Sequence, residues 1–329
     1  MSQPTFSVIV PTHNRATQLG ECLQALAAQD YPRDLWEVIV VDDGSAAPPT
    51  ATVERFCAAL PLTLWRLEAT LWRLEAPLWR LEATLLRQAH AGPAAARNAG
   101  AARARGRVLA FTDDDCAPEP GWLSALAARL DGDLSHAVGG PSLDPCPRNP
   151  YSAASQIIED WMFARHNATA QRASFLSSNN LALPSESFRA LGGFDQSSFA
   201  TAAAEDSDLC ERWLQRGYRL EFVPGAAVQH RHPQTLASFW RQHVNRGRGS
   251  YWLLRAHARR GLPRRACDWG SWRRGLGALV RALARLDWSE VAPVGALLVV
   301  WRLAHTSGYL AEAWWGKNPK AQRKSETTT

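Results

Sequence analysis

Short, nearly unbroken apolar runs alternate along the first half of the chain with segments whose apolar residues return every three or four positions. Phe6-Ser7-Val8-Ile9-Val10-Pro11 and Trp36-Glu37-Val38-Ile39-Val40-Val41 have the length and branched content of buried strands. Between them Leu19, Cys22, Leu23 and Leu26 recur at helical spacing, and Pro48-Pro49 introduce a helix predicted to run to about Leu60. Further strands are expected at about Leu85–Ala89 and at Val108–Phe111. A small-residue helix opens at Gly92-Pro93 and ends near Gly106, and Trp122–Leu130 reads as another helix. Strands buried on both faces and alternating with helices predict an α/β fold with a Rossmann-like, mainly parallel sheet.

One segment breaks this rhythm. Residues 64–84 are three copies of Leu-Trp-Arg-Leu-Glu-Ala-Thr/Pro, differing only at the last position. Leu64, Leu67, Leu71, Leu74, Leu78 and Leu81 form a heptad stripe. An odd period would reverse the faces of a strand at every copy, and Pro77 would kink a continuous helix. The segment therefore reads as a recent in-frame duplication carried as a surface excursion; a docking helix displaying Trp65, Trp72 and Trp79 is the alternative.

The apolar runs end in polar residues. The run at Val108–Phe111 continues into Thr112-Asp113-Asp114-Asp115, three adjacent carboxylates that repel one another and are costly to desolvate. A hard divalent cation such as Mg²⁺ or Mn²⁺, shared with substrate phosphates, would remove that cost. Alternation along an extended chain puts Asp113 and Asp115 on one side and Asp114 on the other, so Asp113 and Asp115 are the better pair for one metal–phosphate site; an acidic surface loop is the plainer alternative. Thr12 and Asp43 stand at the ends of the first two strands, where a nucleotide would lie, although ordinary turn chemistry also uses such residues. Arg97, in the first turns of the small-residue helix, is either a diphosphate ligand or a surface arginine.

Charge divides the chain. Residues 231–329 carry 18 Lys+Arg against 5 Asp+Glu, a net of +13, and 8 of the 15 tryptophans. The preceding residues net −7. A basic, Trp-rich segment points to an anionic membrane surface rather than to nucleic acid. The apolar run Val291–Trp301 is ended by Arg302 and His305, short of the roughly 20 residues a spanning helix needs. Residues 266–316 are accordingly expected to form amphipathic or interfacial helices, with burial against the catalytic domain as the alternative. Before them, Leu236, Phe239, Trp240, His243 and Val244 make a helix face, and Asn245–Gly249 is expected to be a flexible Arg/Gly segment with Arg246 a diphosphate contact. Six scattered cysteines without a C-x-x-C predict reduced thiols and a cytoplasmic setting, and the N-terminus shows no signal-peptide pattern.

Six motifs in order carry a family resemblance: Ser7-Val-Ile-Val-Pro-Thr-His-Asn14, Val40-Val-Asp-Asp-Gly-Ser45, Ala96-Arg-Asn-Ala-Gly100, Phe111-Thr-Asp-Asp-Asp115, Ser178-Asn-Asn-Leu-Ala-Leu183 with Leu191-Gly-Gly-Phe-Asp195, and Glu205-Asp-Ser-Asp-Leu209. Together they resemble the family 2 glycosyltransferases of the GT-A fold. The resemblance implies an inverting, metal-dependent transfer from a nucleoside-diphosphate sugar to a hydroxyl of a glycan or lipid-linked acceptor, in cell-envelope polysaccharide synthesis at the inner face of the plasma membrane. It implies donor binding by Pro11, Thr12, Asn14, Asp43, Arg97, Asp113 and Asp114, and a divalent cation, Mg²⁺ or Mn²⁺, on Asp113, Asp115 and His230. Asp206 matches the catalytic base and Glu205 its neighbour; Asn179, Asn180 and Arg246 fall on the acceptor or diphosphate side. For His230 a purely structural histidine is the alternative, and His232 is a less favoured substitute. The domains expected are a catalytic domain at 1–232 (a nucleotide-sugar half at 1–116 with the insertion at 64–84, and an acceptor half at 117–232), a helical extension at 233–316 and a disordered tail at 317–329.

Two rivals make different predictions. A sugar-phosphate nucleotidyltransferase should show an early Gly-rich phosphate loop with a lysine, yet the first lysine is Lys317. A non-catalytic assembly protein would not need the acidic clusters at 113–115 and 205–208. Deleting Leu71–Thr84 joins Thr70 to Leu85 and leaves one copy of the repeat. On the duplication reading the melting temperature and turnover should stay near wild type; loss of folding, or of a partner in a pull-down, would support the docking helix.

Overall fold

The computed structural model describes residues 4–57, 84–130, 132–146, 148–167, 169–171, 173–199, 202–231, 234–261 and 269–315. Most of the heptad segment and the tail at 317–329 lie outside the described residues. In chain order the elements are β1 (Phe6–Thr12), α1 (Ala16–Ala27), β2 (Trp36–Asp42), α2 (Thr50–Cys57), β3 (Thr84–Arg87), α3 (Pro93–Arg103), β4 (Val108–Thr112), β5 (Cys116–Pro118), α4 (Trp122–Ala127), β6 (His136–Gly139), β7 (Ser142–Leu143), α5 (Pro150–His166), β8 (Asn180–Pro184), α6 (Ser185–Ala190), α7 (Glu205–Gln215), β9 (Arg219–Phe222), β10 (Val228–His230), α8 (Leu236–Arg259), α9 (Trp269–Leu283) and α10 (Trp288–Trp315).

The chain forms two compact units. The first comprises residues 1–145, 166–196 and 209–232, and the second residues 146–165, 197–208 and 233–329. The expected division at 232 therefore misses two earlier segments that join the C-terminal helices.

In the first unit seven strands form one sheet in the order β3-β2-β1-β4-β8-β6-β9. The β1/β2, β1/β4, β2/β3 and β6/β9 pairs are parallel; β8 runs antiparallel to β4 and β6. Every residue of β1 and β2 is buried, which explains why these strands read as continuous apolar runs rather than alternating ones. Their core packs Val8, Val10, Val38 and Val40 with Leu19, Leu23 and Leu26 of α1. Chain order and sheet order part company at β1, which has β2 on one side and β4 on the other. Such a reversal opens a crevice beyond the carboxyl ends of β1 and β4. A small second sheet, β5-β10-β7, lies within the same unit and sets His230 opposite Cys116.

The second unit packs Ala154, Ile157 and Ile158 of α5 with Phe239 of α8 and Val294 and Leu297 of α10. Here the structure corrects the expectation of a flexible Arg/Gly segment: residues 245–249 lie inside α8. Glycine does not break the helix because its missing side chain is what the packing uses. A Cβ on Gly247 would sit 2.0 Å from the His305 carbonyl oxygen in α10, and one on Gly249 would sit 1.6 Å from that of Ala203. The helix starts with a reciprocal capping box between Thr235 and Ser238. Among the described residues no helix is long and apolar enough to cross a membrane.

His243 is fully enclosed in α8 against Phe239 and Trp301, and neither ring nitrogen has a hydrogen-bond partner. Burial, reinforced by Arg246 and His305, lowers its pKa from 6.5 to about 3. The unfolded chain takes up a proton near pH 6.5 and the folded chain does not until about pH 3, so stability is full above 6.5 and falls as the pH drops between the two values. Relative to His243→Phe, the wild type should lose up to about 1.4 kcal/mol per pH unit below 6.5. Urea denaturation of both proteins between pH 7 and 5 checks this, and parallel curves would contradict it.

Candidate active site

The crevice between β1 and β4 is where three sequence motifs meet. After Thr112 the chain turns, with the Cys116 amide donating to the Asp113 carbonyl at 3.1 Å. The turn removes the alternation expected of an extended chain, so the three carboxylates point to different partners. Asp113 accepts from Arg97 Nη2 at 2.6 Å. Asp114 accepts from Thr12 Oγ1 at 2.8 Å and from Arg15 Nη1 at 3.2 Å. Asp115 accepts from the same Arg15 nitrogen at 2.9 Å and has His230 Nε2 3.4 Å from its other oxygen. Arg97 is buried beneath the Phe194 ring rather than spread on the surface, which excludes the surface-arginine reading.

Even with two arginines, the cluster is short of positive charge. Burial, with repulsion from Asp115 and Asp113, raises the Asp114 pKa from 3.8 to about 7 against the opposing effects of Arg15 and Thr12. Atoms of Asp115, Cys116 and His230 that could ligate a metal lie within 4.8 Å of one another. The carboxylate suits Mn²⁺ or Mg²⁺, and the imidazole beside it, a transition-metal ligand, suits Mn²⁺ better than Mg²⁺. The Cys116 thiol is pushed well up by burial and by the neighbouring aspartates, so it stays protonated and is a poor ligand. The excess negative charge and the donor set at Asp115 and His230 fit a divalent cation, while Asp113 is turned to Arg97 and is not among the clustered ligand atoms.

The neighbouring loops are tied to one another. Asn14, with a left-handed φ of 55°, donates its amide to Ser45 Oγ at 2.7 Å, and its side-chain oxygen accepts from the Ala46 amide at 2.9 Å. Pro11 precedes it as a buried residue of β1. The buried Asp43 carboxylate accepts from Gln88 Nε2 and from the amides of Ala91 and Gly92, at 2.6, 2.9 and 2.9 Å. It thereby fixes the loop that opens α3 and carries Arg97 toward Asp113. Three participants were not singled out from the sequence: Arg15, and the stacked rings of His13 and His90, 4.3 Å apart with Nδ1 atoms directed at Asp43. For Arg15 the available signal was its position, one residue past Asn14 at a strand end.

The acceptor-side expectations fare differently. Asn180 is fully buried: its oxygen accepts from Trp122 Nε1 at 2.8 Å, and its nitrogen donates to the carbonyls of Pro141 and Ala226 at 3.1 and 2.7 Å. Asn179 accepts from Ser142 Oγ at 2.9 Å. Asn180 is thus a clamp between strands and loops rather than a ligand contact, a correction to the sequence reading. Arg246 donates to Glu159 Oε1 at 2.7 Å from within α8. In the second unit, Ala204 has φ 93°, a strained value for alanine, immediately before Glu205 and Asp206 at the start of α7. Asp208 is fully buried and paired with Arg260 at 2.6 Å. Asp206 is half-buried and accepts from the Ser207 amide at 2.7 Å. His232 lies outside the described residues.

Comparison with known proteins adds a consistent picture. Residues 7–192 match the model described as Glycosyl transferase family 2, and residues 109–316 match Glycosyl transferase family group 2. The chain is 33% identical over 137 residues to glycosyltransferase AglE of Haloferax volcanii, covering 42% of this chain and 39% of that protein. It is 29% identical over 237 residues to the pre-mycofactocin glycosyltransferase of Mycobacterium tuberculosis, covering 70% and 43%. It thus spans well under two thirds of either relative's length. Among solved structures, mannosyltransferase PcManGT from Pyrobaculum calidifontis, in complex with GDP-Man and Mn²⁺, superposes with a TM-score of 0.62 at 22% identity, over 97% of this chain and 89% of that one. That likeness identifies the fold as GT-A with a C-terminal helical region.

Replacing Asn180 with Ala strips partners from the buried Trp122 indole and two carbonyls, and should cost roughly 2–4 kcal/mol of stability. A lowered urea midpoint at unchanged slope is the expected readout, and an unchanged midpoint would remove the clamp role.

Proposed function

The chain belongs to glycosyl transferase family 2, and on that footing we propose that it is a metal-dependent, inverting glycosyltransferase acting on a nucleoside-diphosphate sugar and a hydroxyl acceptor. The observation that carries the reading is the carboxylate turn at Asp113–Asp115, set at the sheet's reversal point and still deficient in positive charge. Thr12, Asn14 and Asp43 border the place of the nucleoside. Asp43 and Arg97 act mainly by holding the loop and Asp113 in position. Asp115 and His230 would hold the divalent cation, which when bound neutralises charge on the diphosphate.

Asp206 is assigned the base. Its carboxylate takes the proton of the acceptor hydroxyl as that oxygen bonds to the anomeric carbon and the bond to the diphosphate oxygen breaks. Attack opposite the leaving group inverts the anomeric configuration. The enclosure of Asp208 and its Arg260 partner support choosing Asp206 over Asp208, because a fully buried carboxylate already held by a guanidinium offers no free face to an acceptor hydroxyl. Glu205, buried at the same helix start, supports its neighbour's position. The acceptor is read as a cell-envelope glycan or lipid-linked sugar. The net +13 and eight tryptophans of residues 231–329 support peripheral attachment at an anionic leaflet.

A transfer assay over a panel of nucleotide sugars, with Mn²⁺ or with EDTA, tests the reaction. Asp115→Asn and EDTA should each reduce turnover by about 100-fold or more with the melting temperature unchanged. Asp206→Asn should reduce it by about 10²–10⁴-fold while calorimetric binding of the nucleoside diphosphate stays near wild type. Turnover indifferent to both EDTA and Asp115→Asn would overturn the metal assignment.

A further inference from the structure

The second unit contains a cavity of about 390 Å³ that the reaction does not use. Ile157, Ile158 and Trp161 of α5, Leu279 of α9, and Leu298 and Trp301 of α10 line it, and Val299 and Arg302 complete its wall. Apart from the arginine every lining side chain is apolar or aromatic. The Trp161 and Trp301 rings meet edge to face at 5.5 Å, and each carries a guanidinium: Arg165 lies 5.1 Å from the first ring and Arg302 5.4 Å from the second. The cavity thus joins an apolar interior to a cationic margin.

It opens onto an apolar surface. Val299, itself part of the cavity wall, is exposed together with Leu303, Leu310 and Trp314 along one face of α10, and Trp272, Leu276 and Val280 are exposed at four-residue steps along α9; all seven are 49–61% exposed. From Val299 to Trp314 the face runs about 22 Å along the helix. α10 is apolar nearly all round, with Glu290, Arg302 and Glu312 its only charged residues. A helix of that kind calls for an apolar covering beyond its own fold. Charge complementarity selects the covering, because 18 basic residues face only 5 acidic ones across residues 231–329.

We propose that this cavity binds one hydrocarbon chain of an anionic membrane lipid, with Arg302 at its mouth holding the phosphate of the head. The chain replaces water along the Ile157, Leu279 and Leu298 walls, and the guanidinium donates to the phosphate oxygens. The surrounding faces of α9 and α10 then rest in the headgroup zone, where the 93%-exposed Trp288 keeps its indole N–H wet. The inference deepens the leaflet attachment proposed above and is independent of sugar transfer.

The test uses the full chain and three soluble probes: dodecyl phosphate below its micelle concentration, dodecyl maltoside and inorganic phosphate. Calorimetry should show saturable, single-site binding of dodecyl phosphate, at least about tenfold tighter than dodecyl maltoside and with no measurable heat from inorganic phosphate. Arg302→Gln should weaken dodecyl phosphate about tenfold, and Val299→Asp, which places a carboxylate at the mouth, should abolish it. Both positions are exposed, and unchanged melting temperatures would show that both variants fold. A chain brominated near its end should quench tryptophan fluorescence in the wild type and not in Val299→Asp. Absence of saturable binding, or equal binding by both variants, overturns the proposal. Sedimentation with phosphatidylglycerol vesicles separates the levels: sedimentation without bromine quenching leaves the leaflet attachment standing and removes the cavity site. Donor hydrolysis without lipid, measured on the same preparations, reports on the catalytic reading alone.

Discussion

Three carboxylates on consecutive residues repel one another wherever the chain places them, and the first unit is arranged so that they can coexist. They sit beyond the ends of β1 and β4, where the strand order reverses and parallel strand ends leave a crevice. The turn at 113–115 sends each side chain to a different partner, which spreads the charge. Arg97 reaches its place only because α3 starts where it does, and α3 starts there because Asp43 ties down the loop before it. Thr12 and Arg15, from one loop, and His230, from β10, come to the same turn. Because the partners are spread over three segments, the electrostatic requirement of one turn constrains the register of β1, the start of α3 and the pairing of β10.

The motif residues therefore divide into those that face the crevice and those that build its walls. Asn180 belongs to the second kind, as does Asn98, which exchanges hydrogen bonds with the Phe194 backbone at 2.8 and 2.9 Å. Arg212 likewise holds the carbonyls of Leu191 and Gly193 at 2.9 and 2.7 Å. A short motif can be diagnostic of a family while most of its polar side chains satisfy buried backbone groups.

Much of the fold was legible in the sequence because the strands are buried on both faces and so read as unbroken apolar runs. The acidic turn and the Glu205–Asp206 helix start were legible from charge and position. What escaped depends on partners distant in the chain. Gly247 and Gly249 look like flexibility when read locally and become packing residues only when α10 and the Ala203 backbone lie against them. Arg15 looks like a turn residue until Asp114 and Asp115, about a hundred positions on, arrive beside it. The facing of Asp113, Asp114 and Asp115 was misread because alternation holds for strands and the strand ends at Thr112. The division into units was misread because residues 146–165 and 197–208 carry no compositional mark of belonging with the C-terminal helices.

The ties among the loops at 12–15, 43–46 and 88–92 have a thermodynamic corollary. Asn14 joins the first loop to the second, and Asp43 joins the second to the third, through bonds already formed in the free protein. A nucleotide settling among them would order few backbone dihedrals, so little conformational entropy opposes its binding. Its affinity would then rest on contact enthalpy and released water, and the heat-capacity change on binding would follow the apolar area covered, with no added contribution from loop folding.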